Sequence, residues 1–155
     1  MAMQDGALLF TGLSQTVTAS AASANVVDLS PLGGGAGQFR DRGVGGALHV
    51  AVTVLTSMSD AGSDATVDVV LQTDDNEAFS SATSLGTLMT IPAVSPAGFK
   101  RVVPLPIGAG RLYERFIRLQ FNVNNGPLLT GSFRAAIVMQ GDSTPVYATA
   151  QPAGV

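Results

Sequence analysis

Leu48-His-Val-Ala-Val-Thr-Val54 places Leu48, Val50, Val52 and Val54 on one side of an extended chain, with His49, Ala51 and Thr53 on the other. Successive side chains of a strand point to opposite faces, so this alternation describes a strand with one face in a core. The same period of two returns just downstream, with Val67, Val69 and Leu71 on one face and Thr66, Asp68 and Gln72 on the other. Between them, Ser59-Asp-Ala-Gly-Ser-Asp64 is rich in turn formers, and the two segments are expected to pair as an antiparallel hairpin. Ile117, Leu119, Phe121 and Val123 alternate with Phe116, Arg118, Gln120 and Asn122. Beyond a turn at Asn124-Asn-Gly-Pro127, the pattern continues at Phe133, Ala135, Ile137 and Met139.

Weaker alternation over residues 7–11, 25–29, 85–91 and 100–105 predicts further short strands. Pro104 and Pro106 confine the last of these to a sheet edge or a strand end, because proline donates nothing to the ladder. No long window repeats with the helical period, and the one helical prospect is a short turn over residues 75–79. About eight short strands punctuated by Gly and Pro predict an all-β, single-domain antiparallel β-sandwich, with a jelly roll preferred to an immunoglobulin-like arrangement. The domain is expected over residues 1–140, with a Gly-rich loop at 33–46, followed by an extended tail over 141–155.

The chain has 155 residues, the size of one domain, and is 46% hydrophobic but only 12% charged. With no Cys, it excludes disulfide scaffolds, thiolate zinc sites and cysteine nucleophiles. The longest later apolar run, residues 135–139, is far short of the ~20 residues a membrane-spanning helix needs, so neither membrane nor export signal is expected. A pI near 4.8 argues against nucleic acid as a partner. The formal charge of −3 is unevenly placed, for Lys100, Arg101, Arg111, Arg115, Arg118 and Arg134 all fall in residues 100–155. Arg suits planar pairing with carboxylates at protein interfaces.

Residues suited to chemistry are few. His49 alone titrates near neutrality, but no Gly-x-Ser-x-Gly elbow accompanies it, and it is expected to be an ordinary strand residue. The Gly-rich run lacks the Gly-Lys-Ser/Thr of a phosphate loop and the third glycine of a dinucleotide fingerprint. Asp60-x-x-x-Asp64 and Asp74-Asp-Asn-Glu77 contain enough carboxylates to interest calcium, yet match no EF-hand and are expected to be turn residues. Glu77 and Glu114, the two glutamates, are the pair a glycosidase would need. No catalytic, metal or cofactor set is therefore expected. The contact surface is expected to include Phe39, Arg40, Asp41 and Arg42, carried on the Gly-rich loop, with Arg111, Tyr113 and Arg115 from the basic C-terminal part. A carbohydrate- or receptor-binding jelly roll is the competing expectation, although sugar platforms are usually Trp or Tyr and the chain has no Trp.

Three phrases appear in the order found in one group of phage proteins: Arg40-Asp-Arg-Gly-Val-Gly-Gly-Ala-Leu-His-Val-Ala-Val-Thr-Val54, Val67-Asp-Val-Val-Leu-Gln-Thr-Asp-Asp-Asn-Glu-Ala-Phe-Ser-Ser81 and Arg115-Phe-Ile-Arg-Leu-Gln-Phe-Asn-Val123. In them the chain resembles, over most of residues 7–140, the capsid cement (decoration) proteins of tailed bacteriophages, of the type found on a Bordetella phage. The resemblance implies a jelly roll on the outer surface of a mature capsid, assembled in the bacterial host cytoplasm. It further implies binding to a major capsid protein of HK97-like fold and clamping of neighbouring capsomers without covalent links. A homo-oligomer is implied as well, a dimer by preference, with trimers known among other decoration proteins. The Gly-rich stretch at 33–39 and the tail after residue 140 depart from that pattern, and no catalytic residue carries over.

Overall fold

The computed structural model describes residues 8–29, 48–106 and 113–139. They form nine strands and contain no α-helix: β1 (Gln15–Thr16), β2 (Ala21–Ala22), β3 (Val27–Asp28), β4 (Leu48–Ser59), β5 (Thr66–Asp74), β6 (Thr83–Ile91), β7 (Lys100–Pro104), β8 (Phe116–Asn124) and β9 (Thr130–Met139). All the long segments read from alternation are present, extended by one to several residues. Of the weaker ones, 85–91 lengthens into β6 and 100–105 forms β7 less one residue, whereas the two N-terminal ones shrink. Residues 7–11 contribute one bridge, Leu9 to Ala136, before Gly12 turns the chain at φ 62°. Only Val27–Asp28 forms a strand within 25–29.

Two antiparallel sheets result, one in the order β1-β9-β4-β7 and the other β2-β8-β5-β6, with β3 also on β8. The pairs β1–β9, β2 and β3 with β8, β4–β7 and β5–β6 nest inside one another. That is the pairing of a long hairpin rolled up on itself, the jelly roll expected from the sequence. The hairpin expected between residues 48–54 and 67–71 does not exist, because β4 and β5 lie in different sheets. Alternation identifies which face of a strand is buried but not which strand it pairs with. The chain crosses between sheets at residues 60–65, where the Asp60 carboxylate accepts the N–H groups of Gly62 (3.0 Å) and Asp64 (3.2 Å).

The inward residues are those that alternation selected. Val50, Val52 and Val54 of β4 and Phe133, Ala135 and Ile137 of β9 face Val67, Val69, Leu71, Ile117, Leu119 and Phe121 of the opposite sheet. Phe121 and Phe133 stack across the interior with ring centroids 5.7 Å apart. β7 occupies a sheet edge, as Pro104 requires, and Arg101 on it donates to the Thr90 carbonyl at 2.9 Å, tying it to the edge of the other sheet. The fully buried Thr73 hydroxyl donates to the Phe116 carbonyl (3.0 Å) and accepts the Glu114 N–H (2.8 Å). It thereby fixes the approach to β8. Thr73→Val keeps the shape but strands both main-chain groups, and urea titration is expected to show a loss of about 2–4 kcal/mol.

Candidate functional site

The two sheets present different outer faces. On the β5–β8 sheet, Asp68 accepts from the Thr90 hydroxyl and the Asn124 amide (2.9 Å), and Arg118 Nε donates to Gln72 Oε1 at 2.8 Å. This outer face satisfies its polar groups by cross-strand pairs. The outer side of the β4–β9 sheet carries an apolar cluster instead: Leu9, Ala51, Ala136 and Val138 pack together apart from the main core, each at most 8% exposed. Alternation places Ala51 on the outward side of its strand, so its burial is a feature that the pattern does not reveal. His49 is next to Ala51 on this face, in register with Val138 and Pro104.

Of the expected contact residues, Phe39, Arg40, Asp41, Arg42 and Arg111 lie outside the described residues, as do the whole Gly-rich loop at 33–46 and the tail at 141–155. Tyr113 is at the start of a described segment, but its ring is in the main core and its hydroxyl donates to the Pro106 carbonyl. Burial of the ring removes it from the surface. Arg115 is exposed and makes a two-point pair with Asp28, Nε to Oδ1 at 3.2 Å and Nη2 to Oδ2 at 2.9 Å. The hydrogen bond to Asp28 raises the guanidinium pKa above its ordinary value. The same guanidinium lies 4.7 Å from the Phe116 ring centroid.

Three residues further along, within β8, Arg118 lies 4.3 Å from the centroid of Phe79, which belongs to the turn joining β5 to β6 and has a left-handed backbone, φ 51°. That turn is organised by Asp74. Its fully buried carboxylate accepts the N–H groups of Asn76 (3.0 Å) and Ser81 (2.8 Å) and the Ser81 hydroxyl (3.0 Å). Burial alone would raise the Asp74 pKa; the hydrogen bonds from Asn76 and Ser81 outweigh it, and the carboxyl is held below its ordinary value. Asp74 is thus the turn residue the sequence predicts, and the expected helical turn is replaced by an Asx-type turn.

Arg115, Phe116, Arg118 and Phe79 together make a surface of planar cations laid on aromatic rings, held by carboxylate and amide partners. Stacked Arg of this kind contributes at protein interfaces through both the ring contact and its remaining donors. The sequence reading names Arg115 as an expected contact but neither Arg118 nor Phe79, which are separated in the chain and meet only through the β5–β8 pairing. The nearest signal was the Arg-Phe-Ile-Arg spacing at 115–118. Among the described residues, no three or more His, Asp or Glu gather as metal ligands, and no helix is long and apolar enough to cross a membrane.

A family model described as Bbp16 matches residues 12–137. A comparison with curated proteins finds no match.

Proposed function

The chain belongs to the Bbp16 family, which carries the name of a Bordetella phage protein, and from this membership we propose that it is a non-enzymatic cement protein of a tailed-phage capsid. The observation that carries the reading is the extent of the match, which takes in β1 to β8 and most of β9. In this reading the protein binds the outer surface of the mature shell, contacts a major capsid protein of HK97-like fold and clamps neighbouring subunits without covalent bonds. It acts as a homo-oligomer, a dimer by preference, and is assembled on the shell in the host cytoplasm.

The physical requirements for such a role are modest, and the fold is suited to them. A rigid sandwich holds its strand backbone in place, which cuts the cost of ordering at contact to that of the surface side chains. Repeated copies on a lattice gain avidity of roughly 10²–10⁴-fold when each engages more than one subunit. Selective binding to the mature lattice then draws the equilibrium away from disassembly. The Arg115–Arg118 surface is offered as one contact, with Arg40 and Arg42 retained as candidates.

Co-sedimentation of the purified protein with immature and expanded shells tests the proposal. Saturable binding to expanded shells alone, at a fixed ratio to the major capsid protein, is expected. Equal binding to both shells, or none to either, overturns it. Loss of binding in Arg118→Ala with an unchanged melting temperature would assign the contact to the stacked-arginine surface.

A further inference from the structure

Five large apolar side chains are exposed among the described residues, and three of them, Leu55 (39%), Val94 (57%) and Leu129 (65%), belong to one end of the sandwich. The last residues of β4 gather them. Leu55 lies where the register of β4 on β9 shifts between Val54 and Thr56. On one flank of this stretch the Met58 N–H donates to the Ser95 carbonyl (2.9 Å) and the Gly98 N–H to the Val54 carbonyl (2.8 Å), which brings in the loop over 92–99. On the other flank the Leu129 N–H donates to the Ser59 carbonyl at 2.7 Å. Ser95 and Leu129, each one strand spacing from β4, are thus on the order of 10 Å apart. Single exposed apolar residues are ordinary on a surface, whereas a group of them marks a contact.

Val94 carries a second cost. Its backbone is left-handed, φ 51°, a conformation that a β-branched residue adopts only under constraint. The constraint is visible in the loop: Ser95 Oγ donates to the Pro92 carbonyl (2.7 Å) and the Ala97 N–H to Ser57 Oγ (3.0 Å), in addition to the ties to β4. An apolar side chain is therefore held in water on a strained backbone and adds nothing to the core. Strain that the surroundings maintain in this way is typical of contact sites. The four connections at this end, residues 17–20, 60–65, 92–99 and 124–129, contain no cation, and of their two carboxylates Asp60 is buried and Asp64 exposed. The stacked-arginine surface is at the far end: Asp74 pairs with Phe116 there and Thr66 with Asn124 here, with about 30 Å of strand between them.

We propose that this end is a second contact with the shell, in which Val94 and Leu129, with Leu55 beside them, enter an apolar pocket on a major capsid protein subunit and Asp64 faces a Lys or Arg at its rim. This inference rests on the capsid reading. Charge complementarity selects such a surface, apolar with a basic edge, in contrast to the carboxylate-bearing surface that suits Arg115 and Arg118. Two contacts of different chemistry at opposite ends of a rigid sandwich let one copy engage two neighbouring subunits, as a clamp must.

Titration of expanded shells with the purified chain, read by co-sedimentation with melting temperatures measured in parallel, tests this contact. Val94→Asn removes the apolar side chain and suits the left-handed backbone, so it is expected to weaken binding about tenfold or more while melting no lower than the wild type. Leu129→Ser is expected to cause a similar loss at an unchanged melting temperature. Asp64→Lys is expected to weaken binding by an amount that grows as the salt concentration is lowered. Val102→Ser, which trims an exposed side chain of β7 away from this end, is expected to bind as the wild type does. Wild-type binding that survives both Val94→Asn and Leu129→Ser, or an equal loss in Val102→Ser, overturns the contact and leaves the capsid reading standing. An effect of Asp64→Lys that is the same at every salt concentration overturns the basic rim. No binding by the wild type overturns the contact and the capsid reading together.

Discussion

Phe121→Ala is expected to reduce the free energy of unfolding by about 3–5 kcal/mol, and Phe133→Ala by a similar amount. Both rings are fully buried, and each belongs to a different sheet, so the stacked pair is part of what holds the two layers face to face. Truncation removes the transfer energy of a large ring and leaves a cavity that two hydrogen-bonded sheets can only partly close. Against a typical total of 5–15 kcal/mol, either change consumes a large fraction of the stability. The double variant is expected to lose less than the sum, with a coupling of about 0.5–1.5 kcal/mol from the ring contact. Urea titrations of the four proteins measure this. Strict additivity would mean that the rings act only through area and not through each other.

The second large effect concerns acid. Asp74 has its pKa lowered in the folded chain, so the unfolded state binds the proton more readily, and the contribution of Asp74 to stability is complete above about pH 4. As pH falls through the folded value, that contribution disappears. Asp74→Asn keeps the size but turns an amide donor toward one of the donors supplied by Asn76 and Ser81, and it is expected to melt several degrees lower at pH 7. The gap between wild type and variant should then narrow as the pH is lowered below about 4. Thermal melts at pH 7, 5, 4 and 3 provide the measurement, and a gap that stays constant over this range would contradict the depressed carboxyl. Because the Asp74 turn carries Phe79 beneath Arg118, the same acid range should loosen the stacked-arginine surface.

Much of this architecture was legible in the chain because period-two alternation is a property of one strand's own backbone. Val50, Val52 and Val54, or Ile117, Leu119 and Phe121, announce their burial whatever strand lies beside them. Pro104 likewise declares an edge, since a missing N–H cannot be repaired by any neighbour. Asp74 could be read as a turn residue from its own side-chain chemistry.

What the residues could not announce is pairing. β4 and β5 follow each other in sequence and share a pattern, yet β4 bonds to β7 and β9 and β5 to β6 and β8. That choice depends on closing the roll across the whole domain, a non-local balance of loop closure against the joint burial of two sheet faces. The same balance brings Phe79 under Arg118, draws the Tyr113 ring into the core and buries Ala51 and Ala136 on an outer face. Local chemistry determined the strands and their inward faces, whereas only the packed tertiary structure decided which surfaces were left to meet a partner.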